Sequence, residues 1–167
     1  NALLGIARPF DMGFDIVHLN LHKTFSTPHG GGGPGSGPVG VKEELISFLP
    51  DPLVELDKQT GKYFWRYRKG NAVGKLKAFY GNVGMLIRAY TYIRMLGEKG
   101  LKRVSEDAII SANYLKKKLA GTFLDPYPEP CMHEFVLSAK KAASEKGIHA
   151  LDIGKRLLDY GFHAPTV

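Results

Sequence analysis

Apolar and polar positions alternate along residues 15–21, and this period of two predicts a β-strand. One face of the strand is apolar, whereas the other is unusually polar and carries His18, Asn20 and His22. Lys23 follows at the point where the chain leaves the strand. Open α/β sheets gather their ligands at the carboxyl ends of strands. The pattern therefore predicts a largely buried lysine at a ligand-binding edge.

The middle of the chain predicts a short helix and a hairpin. Residues 42–49 favour a helix that ends at Pro50. Residues 53–57 and 62–67 alternate on either side of a four-residue turn, which predicts a β-hairpin. Because the hairpin lies between two helical regions, we interpret it as a surface insertion.

The second half is mainly helical. Apolar residues recur at spacings of three and four along residues 82–96 and 101–120, and this period predicts two helices separated by a glycine-containing turn. A proline-rich connector, a short strand at residues 134–138 and an amphipathic helix at residues 148–160 are predicted to follow. The order β–loop–α–ββ–α–α–β–α indicates a mixed α/β fold.

Composition narrows the class of protein. The chain has 167 residues, of which 44% are hydrophobic and 23% charged, and these fractions are typical of a globular domain or part of one. Its single cysteine, Cys131, excludes an internal disulfide framework and fits a reducing compartment. No apolar run reaches the roughly 18 residues of a membrane span, and no signal peptide is evident. The first and last residues suggest a piece of a longer protein.

The net charge of +7 includes two short basic clusters, at residues 66–69 and 116–118. The favoured interpretation is a solvated basic face. The alternative is a surface for an acidic partner. No zinc-finger spacing or RNA-binding aromatic motif supports nucleic acid.

The loop at residues 30–40 holds seven glycines in eleven positions, and residues 35–40 match G-x-G-x-x-G. A dinucleotide site needs this motif directly between a strand and a helix. Here a Gly/Pro stretch precedes the motif and Pro38 stiffens it. Residues 35–42 also fail as a P-loop, because Val41 occupies the lysine position. Phosphate cradling by backbone N–H groups stays physically possible.

The histidines do not predict a metal site. His18 and His22 are four positions apart, which aligns them on a helix but not on a strand. No matching pair of carboxylates stands near them. We interpret them as hydrogen-bonding residues.

Lys23 differs from an ordinary solvated lysine in three ways. It follows a strand pattern, it is flanked by His22 and Thr24, which can both bond an anionic group, and a permissive glycine loop comes after it. Burial lowers the pKa of a lysine and makes its amine nucleophilic. A buried lysine beside phosphate-binding groups indicates covalent attachment of pyridoxal phosphate.

These residues resemble a known family. The sequence HLNLHKTF at residues 18–25, followed by PHGGGGPG at residues 28–35, resembles the cofactor-lysine segment of glycine dehydrogenase (decarboxylating), the P-protein of the glycine cleavage system. Further likeness lies in residues 1–9, 89–97, 112–115 and 159–166.

The resemblance implies the aspartate-aminotransferase-like fold, fold type I of the pyridoxal-phosphate enzymes. Residues 1–100 would form the end of the cofactor-binding large domain, with the cofactor lysine, the glycine-rich loop and the hairpin. Residues 101–167 would form a truncated small α+β carboxyl-terminal domain. The aspartate that pairs with the pyridine nitrogen, and the group that stacks on the ring, would lie upstream of Asn1.

The resemblance also implies the site residues. Lys23 would be the catalytic residue, and no metal is expected. The candidate cofactor-binding residues are Lys23, His22, Thr24, Asn20, Gly81 and Asn82. The loop residues His29, Gly30, Gly31, Gly32 and Gly33 would line the entrance for a lipoyl arm.

The implied activity is decarboxylation of glycine, with transfer of the aminomethyl group to the lipoyl arm of H-protein. The expected partners are H-protein and the remaining amino-terminal part or subunit of the P-protein, in a homo- or hetero-oligomer without nucleic acid or membrane. The implied location is the cytoplasm of a bacterium or archaeon, or the mitochondrial matrix. Two alternatives stay open: another fold-type-I decarboxylase or aminotransferase, and a catalytically incomplete fragment that acts only as a structural or interaction domain.

Overall fold

The computed structural model describes residues 2–31, 33–68, 70–76 and 80–165. The chain divides into two compact units, one formed by Ala7–Glu98 and the other by Asn1–Ile6 together with Lys99–Val167. The assignment of residues 1–100 and 101–167 to the large and small domains of an enzyme stays a prediction, because it concerns a longer protein.

The Ala7–Glu98 unit combines short helices with two antiparallel strand pairs, which agrees with the predicted mixed α/β class. Its 3-10 helices are Pro9–Met12 and Glu43–Phe48, and its strands are β1 (Ile16–His18), β2 (Val39–Val41), β3 (Leu53–Leu56) and β4 (Tyr63–Arg66). The pairs are β1–β2 and β3–β4, and the described residues form no parallel sheet.

The first strand is shorter than the pattern at residues 15–21 predicts. β1 ends at His18, and the chain turns at Asn20 into a single helical turn, α1 (Leu21–Thr24). The partner of β1 is β2, which the sequence did not predict because it lies within the glycine-rich segment. Ile16 pairs with Val41 in this register.

The glycine-rich segment continues this pairing past the end of the strands. The backbone N–H of Leu19 donates to the carbonyl of Pro38 at 3.1 Å, and that of Leu21 donates to the carbonyl of Ser36 at 3.2 Å. At Gly37 the two segments approach so closely that an added Cβ would lie 1.8 Å from the carbonyl oxygen of Leu19. Glycine is required here by space rather than by backbone angle.

The predicted hairpin is confirmed, with Leu53 opposite Arg66 and Leu56 opposite Tyr63. Its turn is closed by Asp57, whose carboxylate accepts hydrogen bonds from the backbone N–H of Gln59 at 2.8 Å and from the hydroxyl of Thr60 at 2.7 Å. These bonds to its charged form lower the pKa of Asp57. The short helix predicted at residues 42–49 is present as the 3-10 helix Glu43–Phe48.

The two helices predicted at residues 82–96 and 101–120 are both present, within α2 (Val83–Leu119). Gly97 interrupts the helix, because its φ of 62° and ψ of −173° are not helical. The apolar stripe that predicted the first of these helices is largely exposed: Val83 and Ile87 are each 62% exposed and Tyr90 is 64% exposed. On the face that does pack, Ala89 is buried.

The second unit contains the rest of α2 and two further helices, α3 (Lys140–Lys146) and α4 (Ala150–Asp159). The sequence predicted α4 at residues 148–160 and missed α3. The strand predicted at residues 134–138 is wrong: only an isolated antiparallel bridge joins Ser138 to Leu124. A buried serine, Ser105, donates to the carbonyl of Leu4 at 3.1 Å and so joins the amino-terminal residues to this unit.

The proline-rich connector is held by two side chains of α2. Asn113 donates to the carbonyl of Cys131 at 2.7 Å and accepts from its N–H at 3.0 Å. The ammonium of Lys116 donates to the carbonyls of Tyr127 and, at 2.6 Å, Glu129.

The interpretation of both basic clusters as solvated faces is wrong in part. Lys116 is buried and lies 3.3 Å from the carboxylate of Asp125. Arg68 is largely buried against Asp51, with 14% of its side chain exposed. Burying a long charged side chain requires full pairing, and both cations have it. Lys69 lies outside the described residues.

Replacing Gly37 by alanine is expected to force the paired segments apart and to lower the free energy of unfolding by about 1–3 kcal/mol. Denaturant titration measures the loss. Gly35→Ala is the matched control, since a Cβ at Gly35 meets nothing within 4 Å. Equal unfolding midpoints for the two variants would contradict the close approach.

Replacing Lys116 by methionine keeps the apolar stem but leaves buried carbonyls and the Asp125 carboxylate unpaired. The free energy of unfolding should fall by about 3 kcal/mol. Lys117→Met changes an exposed neighbour and should stay within about 0.5 kcal/mol of wild type. A similar loss in both variants would show that Lys116 does not fasten the connector.

Candidate functional site

Lys23 projects from a turn whose other side is anchored. Leu21 and Phe25 lie four positions apart and are buried, with 5% and 7% of their surface exposed. Lys23 lies between them on the opposite side of the turn and is exposed. The expectation of a buried lysine is therefore wrong. The strand ends before the lysine, and the helical turn places Lys23 on the side that faces away from the buried Leu21 and Phe25.

The chain after the turn is also fixed. Ser26 has a positive φ of 58°, and its carbonyl accepts a hydrogen bond from Nε of Arg88 in α2 at 2.5 Å. Thr27 is buried with 8% of its surface exposed. These contacts hold the carboxyl side of the lysine turn, as the pairing with Ser36 holds its amino side.

A cavity of about 490 Å³ adjoins the lysine segment. Three of the predicted cofactor-binding residues, Asn20, His22 and Gly81, lie on its wall. Lys23 and Asn82 are next to wall residues in sequence but do not line the cavity, and Thr24, two positions after His22, does not line it either. The remaining wall residues were not predicted, namely His18, Gly35, Ser36, Gly37, Pro50, Asp51, Lys75, Leu76 and Tyr80.

The ring of His22 lies at this wall in a crowded, positively charged setting. Desolvation lowers the pKa of His22, and the nearby charges of His29, Lys23 and His18 lower it further. Nδ1 of His22 is buried and has no hydrogen-bond partner within the described ranges. His22 therefore has a ring nitrogen whose hydrogen-bonding capacity is unused in this part of the chain.

The glycine loop forms a turn beside His22. The rings of His22 and His29 meet edge to face with centroids 4.7 Å apart. Gly30 and Gly31 have positive φ angles of 61° and 62°, and the N–H of Gly33 donates to the carbonyl of Gly30 at 3.4 Å. His29 contacts the wall residue His22, and neither it nor Gly30, Gly31 or Gly33 lines the cavity, whereas Gly35, Ser36 and Gly37 further along the same segment do. Gly32 lies outside the described residues.

Ser36 and Gly81 form a narrow part of the wall. Gly81 has a φ of 91°, and a Cβ there would lie 2.7 Å from the hydroxyl oxygen of Ser36. Asn82 begins α2, because its carbonyl accepts from the N–H groups of Met85 at 3.0 Å and Leu86 at 3.2 Å. Glycine therefore leaves room that any side chain at this position would fill.

The opposite stretch of wall, Pro50 and Asp51, is held by Arg68. The guanidinium donates to the carbonyl of Leu49 at 2.8 Å and to that of Pro50 at 3.1 Å. Nε of Arg68 lies 3.2 Å from the carboxylate of Asp51. Among the wall residues that the sequence analysis did not predict, Ser36 falls inside the G-x-G-x-x-G match. The pairing of Asp51 with Arg68, 17 positions apart, has no such local pattern.

The described residues contain neither a metal-binding cluster nor a membrane-spanning helix. No group of three or more histidine, cysteine or acidic side chains there is arranged to hold a metal ion. No helix in that part of the chain has the length and apolar character to cross a membrane.

Comparison with known proteins relates this geometry to a family. Residues 104–167 match the family model described as glycine dehydrogenase, C-terminal domain. The probable glycine dehydrogenase (decarboxylating) subunit 2 of Chlorobaculum tepidum is 61% identical over 169 residues, which cover 100% of this chain and 35% of that protein.

Proteins of the same name from two other organisms are similarly close. That of Desulforamulus reducens is 59% identical and that of Thermosipho melanesiensis is 58% identical, in each case over 100% of this chain and 34% of the relative. The chain thus spans about a third of the length of the curated relatives it matches. Since these matches cover the whole of this chain at 58% to 61% identity, the chain belongs to the glycine dehydrogenase (decarboxylating) family.

Proposed function

We propose that this chain carries the cofactor-anchoring lysine of the glycine cleavage P-protein, a pyridoxal-phosphate enzyme that decarboxylates glycine. The observation that carries the proposal is the fixed turn that presents Lys23 beside a cavity walled by Asn20, His22 and Gly81. The relatives are probable glycine dehydrogenases (decarboxylating), which supports the substrate and the reaction.

The wall residues fit pyridoxal phosphate. His22 offers an unpartnered buried ring nitrogen, and the space kept open at Gly81 lies against the hydroxyl of Ser36. Lys23 would hold the cofactor covalently through Nζ. Ser36 and the N–H groups at the start of α2, next to Gly81 and Asn82, would bind its phosphate. When bound, the cofactor supplies an electron sink for the pair left on the glycine α-carbon as carbon dioxide departs.

Each residue of the turn then has a proposed role. The Lys23 amine, once free of the cofactor, moves protons to and from the substrate. His22 stays neutral and positions a group in the cavity by hydrogen bonding. Thr24 directly follows Lys23, and Asn20 directly precedes the helical turn. Asn20 is fixed by a 2.5 Å contact between its side-chain oxygen and Nε2 of His18.

The proposed reaction also involves a carrier. The bond from the glycine α-carbon to its carboxylate breaks and carbon dioxide leaves. The aminomethyl carbon bonds to one sulfur of the lipoyl disulfide of H-protein, and the other sulfur takes up a proton as the disulfide breaks. The loop of His29, Gly30, Gly31, Gly32 and Gly33 would border the path of the lipoyl arm, since it adjoins the wall at His22.

The proposed partners are glycine, lipoylated H-protein and the polypeptide that corresponds to the rest of the relatives, in a homo- or hetero-oligomer. The bacterial origin of the relatives favours the cytoplasm. Buried pairing of Lys116 and Arg68 removes two cations from the basic clusters that the alternative interpretation assigned to an acidic partner. Any steering of that kind would have to come from other lysines and arginines.

The test of the function is exchange of carbon dioxide with the carboxyl group of glycine, in the full-length protein with lipoylated H-protein. Exchange that requires the carrier and Lys23 supports the proposal. Transamination or decarboxylation of another amino acid in its place would favour a different fold-type-I enzyme. Absence of all three reactions would favour a structural or interaction domain.

Lys23 is expected to be the attachment point of the cofactor. After incubation with pyridoxal phosphate and reduction with borohydride, peptide mapping should find the phosphopyridoxyl group on Lys23 in the full-length protein. Lys23→Ala should abolish this label, whereas Lys58→Ala, at the exposed hairpin turn, should retain it. Labelling spread over several surface lysines, or unchanged in Lys23→Ala, would refute the assignment.

His22 is expected to titrate below the ordinary histidine value of 6.5. Because its folded-state pKa is lowered, the neutral ring contributes stability that is full above 6.5 and declines as pH falls from there to the His22 pKa. NMR titration of the ring protons measures the value. His29→Gln removes one neighbouring charge and should move the pKa back towards 6.5, whereas His163→Gln, an exposed control, should not.

A further inference from the structure

The cavity beside the lysine turn has one acidic wall residue, Asp51, among its described lining. Both carboxylate oxygens of Asp51 accept the backbone N–H of Arg68 at 3.1 Å, and Nε of Arg68 lies 3.2 Å from one of them. The side chains of Arg68 and Asp51 are 14% and 12% exposed. The negative charge of Asp51 is therefore neutralised by a mostly buried partner and leaves little field in the cavity.

The cationic wall residue is Lys75. Within the described part of the chain it forms no hydrogen bond or ion pair, and the residue is exposed. The other titratable side chains of the lining are His18, His22 and Tyr80. The lowered pKa of His22 favours its neutral ring at neutral pH, and desolvation raises the pKa of Tyr80, so its phenol is neutral as well. The wall as a whole thus has an unbalanced positive charge at Lys75.

Two residues of the same wall, His22 and Ser36, carry polar groups that can hydrogen-bond to an oxygen-rich ligand. Nδ1 of His22 is buried without a partner. The hydroxyl of Ser36 faces the space that glycine leaves at position 81. Buried polar groups in proteins are nearly always satisfied by protein, water or ligand, and an anion that reaches Lys75 can also accept hydrogen bonds from a hydroxyl or an imidazole N–H.

We infer that Lys75 binds an oxyanion, a phosphate ester or a carboxylate, in the cavity beside Lys23. This inference rests on the proposed function, which supplies both kinds of anion: the phosphate of the cofactor and the carboxylate of glycine. Lys75 belongs to a segment that is separate in sequence from the lysine turn. Because Arg68 neutralises Asp51, the positive charge of Lys75 has no counterion among the described wall residues and is left to attract an anion.

The alternative role for Lys75 is that of an ordinary surface lysine that borders the cavity through its stem alone. Such side chains keep their charged end in water and contribute apolar packing. The two roles differ in one measurable respect. An anion-binding lysine affects ligands that carry the anionic group more than ligands that lack it, whereas a packing residue affects both equally.

The experiment compares Lys75→Gln, Lys75→Arg and the control Lys58→Gln in the full-length protein. Lys58 lies in the exposed turn between β3 and β4 and does not line the cavity. Each variant is titrated with pyridoxal phosphate and with pyridoxal, which lacks the phosphate, and the KM and kcat for glycine are measured in the exchange reaction.

If the anion is the cofactor phosphate, Lys75→Gln weakens binding of pyridoxal phosphate about tenfold and leaves binding of pyridoxal unchanged. If it is the substrate carboxylate, both cofactor affinities are retained and the KM for glycine rises about tenfold with kcat preserved. In either case Lys75→Arg, which keeps the positive charge, retains most of the wild-type affinity for pyridoxal phosphate and KM for glycine. Lys58→Gln matches wild type in both.

Three results overturn the inference. They are unchanged binding and KM in Lys75→Gln, an equal loss of affinity for pyridoxal phosphate and pyridoxal, and an identical effect in Lys58→Gln. Each would mean that the charge of Lys75 makes no specific contact.

Calorimetric titration with inorganic phosphate separates this inference from the proposed function, because it needs no cofactor. Phosphate binding that is lost in Lys75→Gln and kept in Lys58→Gln supports the anion site even in a protein that attaches no cofactor at Lys23. Phosphate binding that is absent, or equal in both variants, together with an unchanged KM for glycine in Lys75→Gln, counts against it even where Lys23 is labelled.

Discussion

The antiparallel pairing between the lysine segment and the glycine-rich segment is the constraint on which the candidate site depends. It begins at the base, where Lys42 and Asp15 form a 2.5 Å ion pair, and runs through β1 and β2 to the bond from Leu21 to Ser36. One pairing therefore positions the turn that carries Lys23 and also brings Ser36 to the cavity wall. The absence of a side chain at Gly37 lets the two segments meet. Gly37 thus allows close pairing of the two backbones, whereas Gly30 and Gly33 lie in the turn that precedes the paired residues.

In each unit a buried cation fastens an irregular segment. Arg68 holds the residues around Asp51 in one unit, and Lys116 holds the proline-rich connector in the other. Loops that lack regular hydrogen bonding need side-chain partners for their carbonyls, and a long cationic side chain supplies several donors at once. The same pairing determines the electrostatics of the cavity, because it neutralises Asp51 and leaves the charge of Lys75 unopposed. Net charge alone is therefore a poor guide to the surface of this protein.

The site combines a fixed lysine with a wall of modest polarity. Lys23 is exposed, so its reactivity in the proposed enzyme depends on its neighbours: the neutral ring of His22, the hydroxyl of Ser36 and the ligands themselves. Exposed apolar side chains on the first half of α2 and on both hairpin strands lie in the same unit. A chain that spans about a third of its relatives' length is expected to expose surface of this kind.

The sequence by itself determined the long helical regions, the hairpin at Leu53–Leu56 and Tyr63–Arg66, and Lys23 as the residue of interest, because local periodicity and turn chemistry act over a few positions. It also carried the family resemblance, through the run of residues around the lysine. The tertiary structure alone decided that β1 ends at His18, that a strand lies inside the glycine-rich segment, and that Lys116 is buried rather than solvated. The partners of these residues are nine or more positions away along the chain, as with Lys116 and Asp125 or Arg68 and Asp51. Local patterns cannot specify such pairs, because which charges become buried together depends on how distant segments meet in space.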